Sequence, residues 1–100
     1  MTPDHLQRLI RLRHDLHRIP EVSGDEVQTA RCIADFVAAY DPDQMITELG
    51  GHGVAAVFDS ALPGPTVMIR GELDGLPIAE QSDAPYRSTF AGRGHLCGHD

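Results

Sequence analysis

Apolar positions recur at helical spacing through the first forty or so residues and then give way to short continuous runs. Leu6, Leu9, Ile10 and Leu16 fall on one face of a 3.6-residue period. Thr2-Pro3 ahead of them is a start signal, because Thr can cap and Pro fits the first helical position, and the stripe ends near Ile19-Pro20. Ser23-Gly24-Asp25-Glu26 has the Ser-x-x-Glu form of a capping box and places acids where a helix dipole favours them. Val27, Ala30, Ile33, Ala34 and Val37 continue one apolar face until Asp41-Pro42 stops a second helix. Then the period changes. Gly50-Gly51-His52-Gly53 reads as a turn and Val54–Phe58 as a short apolar run; Leu62-Pro63-Gly64-Pro65 is a second turn, followed by Thr66–Ile69. Short β-branched runs between Gly and Pro predict buried strands, with a hairpin around residues 59–65. Helix, helix, strand, strand predicts an α/β layered domain, a sheet covered by helices. From Gly71 to Asp100 the periodicity fades among glycines and prolines, and a loop-rich stretch of about 30 residues is of a length that often carries function.

Composition narrows the function classes. One hundred residues with 41% hydrophobic content suits a single domain with a core, since a chain of this size buries roughly 60–70% of its unfolded surface. Lys+Arg 8 against Asp+Glu 15 gives a net charge of −7, which argues against nucleic acid, because phosphate neutralisation needs clustered cations. The one basic run, Arg8-Leu9-Ile10-Arg11-Leu12-Arg13, interleaves apolar residues and reads as a solvated helix face. No stretch reaches the ~18 apolar residues of a membrane span. Thr2 to His5 is polar and has no apolar signal core. Cys32 and Cys97 could form one disulfide, but without an extracellular signal a reducing, cytoplasmic setting is the expectation. Cys32, on the second helix, reads as a small packing residue.

Two stretches carry candidate chemistry. Arg70-Gly71-Glu72-Leu73-Asp74-Gly75-Leu76-Pro77 follows the Thr66–Ile69 run directly, and acids just past a strand end sit where α/β sheets gather ligands. Glu72 and Asp74 would share a face of an extended segment and could converge on a cation; equally, they could be solvated acids at a strand exit. The second stretch is His95-Leu96-Cys97-Gly98-His99-Asp100. Thiolate and imidazole are good ligands for zinc and related divalent ions. In an extended segment His95, Cys97 and His99 point the same way; in a helix Cys97 turns away from the two histidines. Gly92, Gly94 and Gly98 argue against a regular helix. Cys97 as a nucleophile with His99 as its base, or a polar stretch with no role, are the other readings of these residues. Carboxylates at a strand end followed by a Cys/His cluster are what a hydrolytic metal site needs around a polarised water.

Taken together these stretches resemble the N-terminal part of the metal-dependent amidohydrolases that include hippurate hydrolase, aminobenzoyl-glutamate hydrolase and the plant auxin-conjugate hydrolases, a branch of the aminoacylase and carboxypeptidase G superfamily. Arg13-x-x-Leu16-His17-x-x-Pro20-Glu21-x-Ser23-x-x-Glu26-x-x-Thr29 looks like the opening helix pair of that family, and Gly50-Gly51-x-Gly53-Val54 and Gly64-Pro65 follow in order. Arg70-Gly71-Glu72-Leu73-Asp74-Gly75-Leu76-Pro77-Ile78 and Cys97-Gly98-His99-Asp100 are the specific matches. The resemblance implies residues 1–100 of a layered metallopeptidase-like catalytic domain. It implies a hydrolase that cleaves the amide bond of N-acyl amino acids with water activated by two divalent ions, zinc or manganese. Cys97 would bridge the two ions, in the place an aspartate has elsewhere in the superfamily, His99 would bind one of them, and Asp74 would orient a ligand beside them. Glu72 falls where relatives carry Asp or His, and His95 is expected to orient or pack. His17 and Glu21 are expected to make helix-end hydrogen bonds. The family's Glu-Glu pair, whose first member is the general base, its later histidine ligands and its smaller domain for dimerisation and substrate closure have no counterpart in these residues. The resemblance therefore implies that the segment alone is inactive, or is a truncated product that at most binds one ion weakly. The implied partner is a small N-acyl amino acid or peptide-like molecule, with a homodimer expected for the full-length protein.

Overall fold

The computed structural model describes residues 2–98. Helix α1 spans Pro3–Arg18, helix α2 Val27–Ala38, strand β1 Gln44–Leu49 and strand β2 Gly53–Val57. The α1 start follows from the sequence: Thr2 is the cap, its hydroxyl accepts the His5 amide at 3.2 Å, and Pro3 opens the helix. None of the described helices is long and apolar enough to cross a membrane.

The start of α2 is built differently from the expected capping box. The helix begins at Val27 rather than after Ser23, and the Glu26 carboxylate turns back to the Gly24 and Asp25 amides. The first helical amides are satisfied by Glu21 instead. Its Oε1 accepts from the Thr29 amide at 2.6 Å and the Thr29 hydroxyl at 2.7 Å, while Oε2 accepts from the Gln28 amide at 3.2 Å. A long carboxylate outside the helix does what a short N-cap residue does within it, and it places negative charge at the positive end of the dipole. Glu21→Ala is expected to cost about 0.5–2 kcal/mol, the scale of a lost N-cap, read as a lower urea midpoint. A midpoint equal to the wild type would show that water replaces the carboxylate at no cost.

The strands depart from the sequence expectation. The hairpin joins β1 to β2 through the turn at residues 50–52, not through residues 59–65. Its antiparallel register pairs Gln44 with Val57, Met45 with Ala56, Ile46 with Ala55 and Leu49 with Gly53, with an irregularity between Ile46 and Leu49. Gly50 and Gly51 take φ values of 58° and 123°, the left-handed region that a tight turn needs and that glycine adopts freely. Helix α2 lies against both strands. Thr66–Ile69 forms no strand, and Val67, Met68 and Ile69 are 78%, 86% and 94% exposed. β-branched composition favours an extended backbone, but a strand exists only where its N–H and C=O groups meet a neighbour's, and among the described residues none is in place.

The expected buried core is also absent. No large hydrophobic residue among those described is buried; Pro20, His17 and Thr29 are buried at the junction of α1, α2 and the segment between them. The surface of 7395 Å² exceeds the roughly 5,600 Å² of a compact chain of this mass. The radius of gyration of 15.0 Å likewise exceeds the about 13 Å of a compact 100-residue domain. A two-stranded sheet offers one helix a small platform, so apolar faces are half-covered rather than enclosed.

Candidate functional site

The site begins where three extended segments cross. After α1 the chain runs through Pro20 and Glu21 to Val22, which makes a parallel bridge with Gly75, and the Gly75 amide donates to the Glu21 carbonyl at 2.7 Å. On the other side Leu76 and Gly94 exchange two backbone hydrogen bonds, 2.8 and 3.0 Å, as an antiparallel bridge. Gly75 is squeezed between them: a Cβ there would lie 2.9 Å from the Pro20 Cβ and 3.2 Å from the Gly94 carbonyl oxygen. Only a residue without a side chain lets the three strands of backbone approach this closely.

This crossing decides where the candidate donors go. Because the Leu76–Gly94 bridge is antiparallel, residues preceding Leu76 and residues following Gly94 extend to the same side. Glu72, Asp74, His95 and Cys97 accordingly all line one cavity of about 440 Å³. The helices also line it, through Leu9, Leu12, Arg13 and Leu16 of α1 and Thr29 and Ile33 of α2. Of the α1 stripe read from the sequence, Leu9 and Leu16 line the cavity, joined by Leu12 from the run read as a solvated face, while Leu6 and Ile10 are exposed elsewhere. Asp74, Glu72 and Cys97 are exposed and His95 is half-buried. Arg70 Nη2 lies 3.6 Å from Glu72 Oε1, an exposed contact that adds little to stability.

The set of donor types, two carboxylates, an imidazole and a thiol, fits a divalent cation site. Among the described residues no three of them converge closely enough to hold an ion. His99, the expected partner of Cys97, lies outside the described residues, as does Asp100. Cys32 and Cys97 are both free. Cys32 does not reach the cavity; burial first, and then the carboxylates of Asp35, Glu21 and Asp15, push its thiol pKa up, which suits an inert packing residue.

One buried carboxylate outside the cavity lining is not visible in the sequence. Glu80 follows Pro77 in a stretch without periodicity, yet its side chain is 5% exposed. Its carboxylate faces His17 Nε2 at 3.1 and 3.2 Å, accepts the Ser82 hydroxyl, and accepts the Ser88 amide at 2.8 Å. His17, in the last turn of α1, makes this pairing across the fold. The ring of His17 lies 6.1 Å from that of His95 and edge-on to Tyr86 at 5.4 Å. The hydrogen bonds from Ser82 and Ser88 outweigh burial and, with His17 adding to them, hold the Glu80 carboxyl down to about 2 from its ordinary 4.5. For Glu21, burial works the other way, but the Thr29 and Gln28 hydrogen bonds, with Arg93 nearby, still leave it below its ordinary value.

Depressed carboxyl pKa values set the sign of a pH effect. Both groups contribute stability that is present above the unfolded value of 4.5 and is lost as pH falls, for Glu80 until about 2. The urea midpoint is therefore expected to drop steadily between about pH 5 and pH 2. In Glu80→Gln the slope across that window should be shallower; an equal slope would mean that Glu80 does not titrate there.

No protein-family model matches the chain. N-acetyldiaminopimelate deacetylase of Anoxybacillus flavithermus is 38% identical over 91 residues, which cover 91% of this chain and 24% of that protein. N-acetylcysteine deacetylase of Bacillus subtilis is 38% identical over 93 residues, 93% of this chain and 24% of that protein. Among solved structures, the YXEP protein of Bacillus subtilis, described as a dinuclear metal-binding peptidase of the M20 family, superposes with a TM-score of 0.84 at 36% identity. That match covers 93% of this chain and 26% of the YXEP chain. The chain spans about a quarter of the length of these relatives.

Proposed function

From the match of this chain to the N-terminal segment of the amidohydrolase and aminoacylase superfamily, with the α/β arrangement of an M20 peptidase domain, we propose that residues 1–100 form the first part of the metal-binding catalytic domain of an amide hydrolase. The substrate class is N-acyl amino acids or similar small conjugates, in keeping with the two deacetylases it is similar to. The observation that carries the reading is the clamp at Leu76–Gly94, which turns Asp74 and Cys97, from distant parts of the sequence, into one cavity.

In this reading Cys97 and His99 would be among the residues that hold divalent ions, zinc or manganese. When bound, the ions supply Lewis acidity, lowering the pKa of water and stabilising the oxyanion of the attacked amide. Cys97 contributes a thiolate, the charged form that proximity to cations favours. Asp74 accepts a hydrogen bond from the distal N–H of an imidazole ligand and so holds its ring in place. The leucines of α1 keep water from the facing wall and strengthen electrostatic interactions inside. Taking the proton from the attacking water calls for a base, the first member of the Glu-Glu pair, which these 100 residues do not contain, so the segment alone is proposed to be inactive. A reducing cytoplasmic setting keeps Cys97 from forming a disulfide, and a homodimer is proposed for the full-length protein.

A second reading has one observation in its favour. Because no three described donors converge, the chain could be a non-catalytic product that at most binds one ion through Cys97 and His99. Hydrolysis of N-acetyl amino acids by the protein carrying this segment separates the two. Activity that chelator abolishes and zinc or manganese restores is the expected result. Activity indifferent to chelation would overturn the metal chemistry, and no hydrolysis of any N-acyl amino acid with metal bound would favour the second reading.

A further inference from the structure

We propose that Glu80 is a positioning residue for metal binding: its carboxylate, seated on His17, holds the segment bearing Cys97 in register with the segment bearing Asp74. This rests on the metal reading above and assigns a role to a residue outside the ligand set.

The geometry is that of a three-way tie. His17 belongs to the last turn of α1, Ser82 to the loop after Pro77 and Ser88 to the approach to Cys97, and one buried carboxylate meets a donor from each. A buried carboxylate is costly unless it is paired and fully hydrogen-bonded, so its position is strongly determined by those partners. From Ser88 the restraint passes towards Cys97. The Ser88 hydroxyl donates to the Arg93 carbonyl at 2.8 Å, and the next residue, Thr89, donates from its amide and hydroxyl to the Arg18 carbonyl of α1 at 2.9 and 2.8 Å. Gly94 then pairs with Leu76, and a Cβ at Gly94 would lie 3.3 Å from the Glu80 Cβ. Glu80 therefore sits directly beneath the bridge that sets Asp74 against Cys97. Glutamine is the same size but carries an NH₂ where one acceptor oxygen stood, so it cannot accept from all three donors at once.

The test uses cobalt(II) as an optical stand-in in the protein carrying this segment, monitoring the thiolate-to-cobalt absorption band and the cobalt dissociation constant. Glu80→Gln is expected to weaken cobalt binding roughly 10- to 100-fold, the range seen when partners behind metal ligands are removed, and to alter the band. Ser88→Ala, which leaves the carboxylate and His17 in place but releases the Arg93 carbonyl, should change the same band to a smaller extent and decides the matter if Glu80→Gln does not fold. A purely structural role would lower the melting temperature of both variants and leave band and affinity at wild-type values, overturning the proposal. A wild-type protein with no thiolate band would overturn the metal reading and this inference with it. A wild-type band that both variants preserve overturns this inference alone.

Discussion

On the proposed reading, Cys97→Ser in the protein carrying this segment is expected to lose a bound ion and to lower amide hydrolysis by roughly 1,000-fold, the several kcal/mol that a metal contributes as Lewis acid, at 1.36 kcal/mol per factor of ten. A thiolate can hold two cations at once and is deprotonated by them; a serine hydroxyl keeps its proton and offers a far weaker ligand. The structure supports testing this cysteine rather than the other. Cys97 opens on the cavity shared with Asp74, whereas Cys32 is half-buried in α2, does not reach the cavity and has its thiol pKa raised. Cys32→Ser should therefore retain full metal content and activity. Metal analysis of both variants beside the wild type checks the pair of expectations. Unchanged stoichiometry and affinity in Cys97→Ser would refute its role as a bridge.

Gly75→Ala is expected to destabilise the fold by about 1–3 kcal/mol, the cost of forcing an extra carbon into a packed site, and to depress activity with it. The reason is space rather than backbone conformation. The added methyl would sit 2.9 Å from the Pro20 side chain and 3.2 Å from the Gly94 carbonyl oxygen, neither of which is the free end of a flexible chain. Relief requires the crossing to open, which lengthens the Gly75–Glu21 or Leu76–Gly94 hydrogen bonds and swings Asp74 away from Cys97. Gly71→Ala is the control, since a Cβ there meets nothing within 4 Å, and its effect should stay within about 0.5 kcal/mol. Urea denaturation of the two variants reads the difference. Equal midpoints would mean that the crossing is loose and does not set the donors' positions.

The helices were legible because their signals are local. The apolar residues of α1 and α2 recur within a few positions of one another, and Thr2-Pro3 and Asp41-Pro42 mark a start and a stop by their own backbone chemistry. The α2 cap departs from the sequence expectation because Ser-x-x-Glu describes two groups that can satisfy the first turn, while Glu21, further upstream, reaches three donors at once. The hairpin lies elsewhere than the sequence predicts for a related reason. Both glycine-rich turns looked able to close one, and which of them did depended on a partner strand: Gln44–Leu49 pairs with Gly53–Val57, whereas Thr66–Ile69 meets none among the described residues.

The candidate chemistry divides along the same line. Residue types and order along the chain mark Asp74, Cys97 and His99 as candidates and carry the resemblance to an aminoacylase-type hydrolase, because ligand chemistry resides in side chains and family motifs in their spacing. Bringing Asp74 and Cys97 to one cavity depended on the antiparallel bridge between Leu76 and Gly94, and finding Glu80 depended on an imidazole 63 positions earlier in the chain. A carboxylate in a stretch without periodicity gives no local sign of burial. Its environment is made by backbone arriving from elsewhere, so only the tertiary structure shows that it is held.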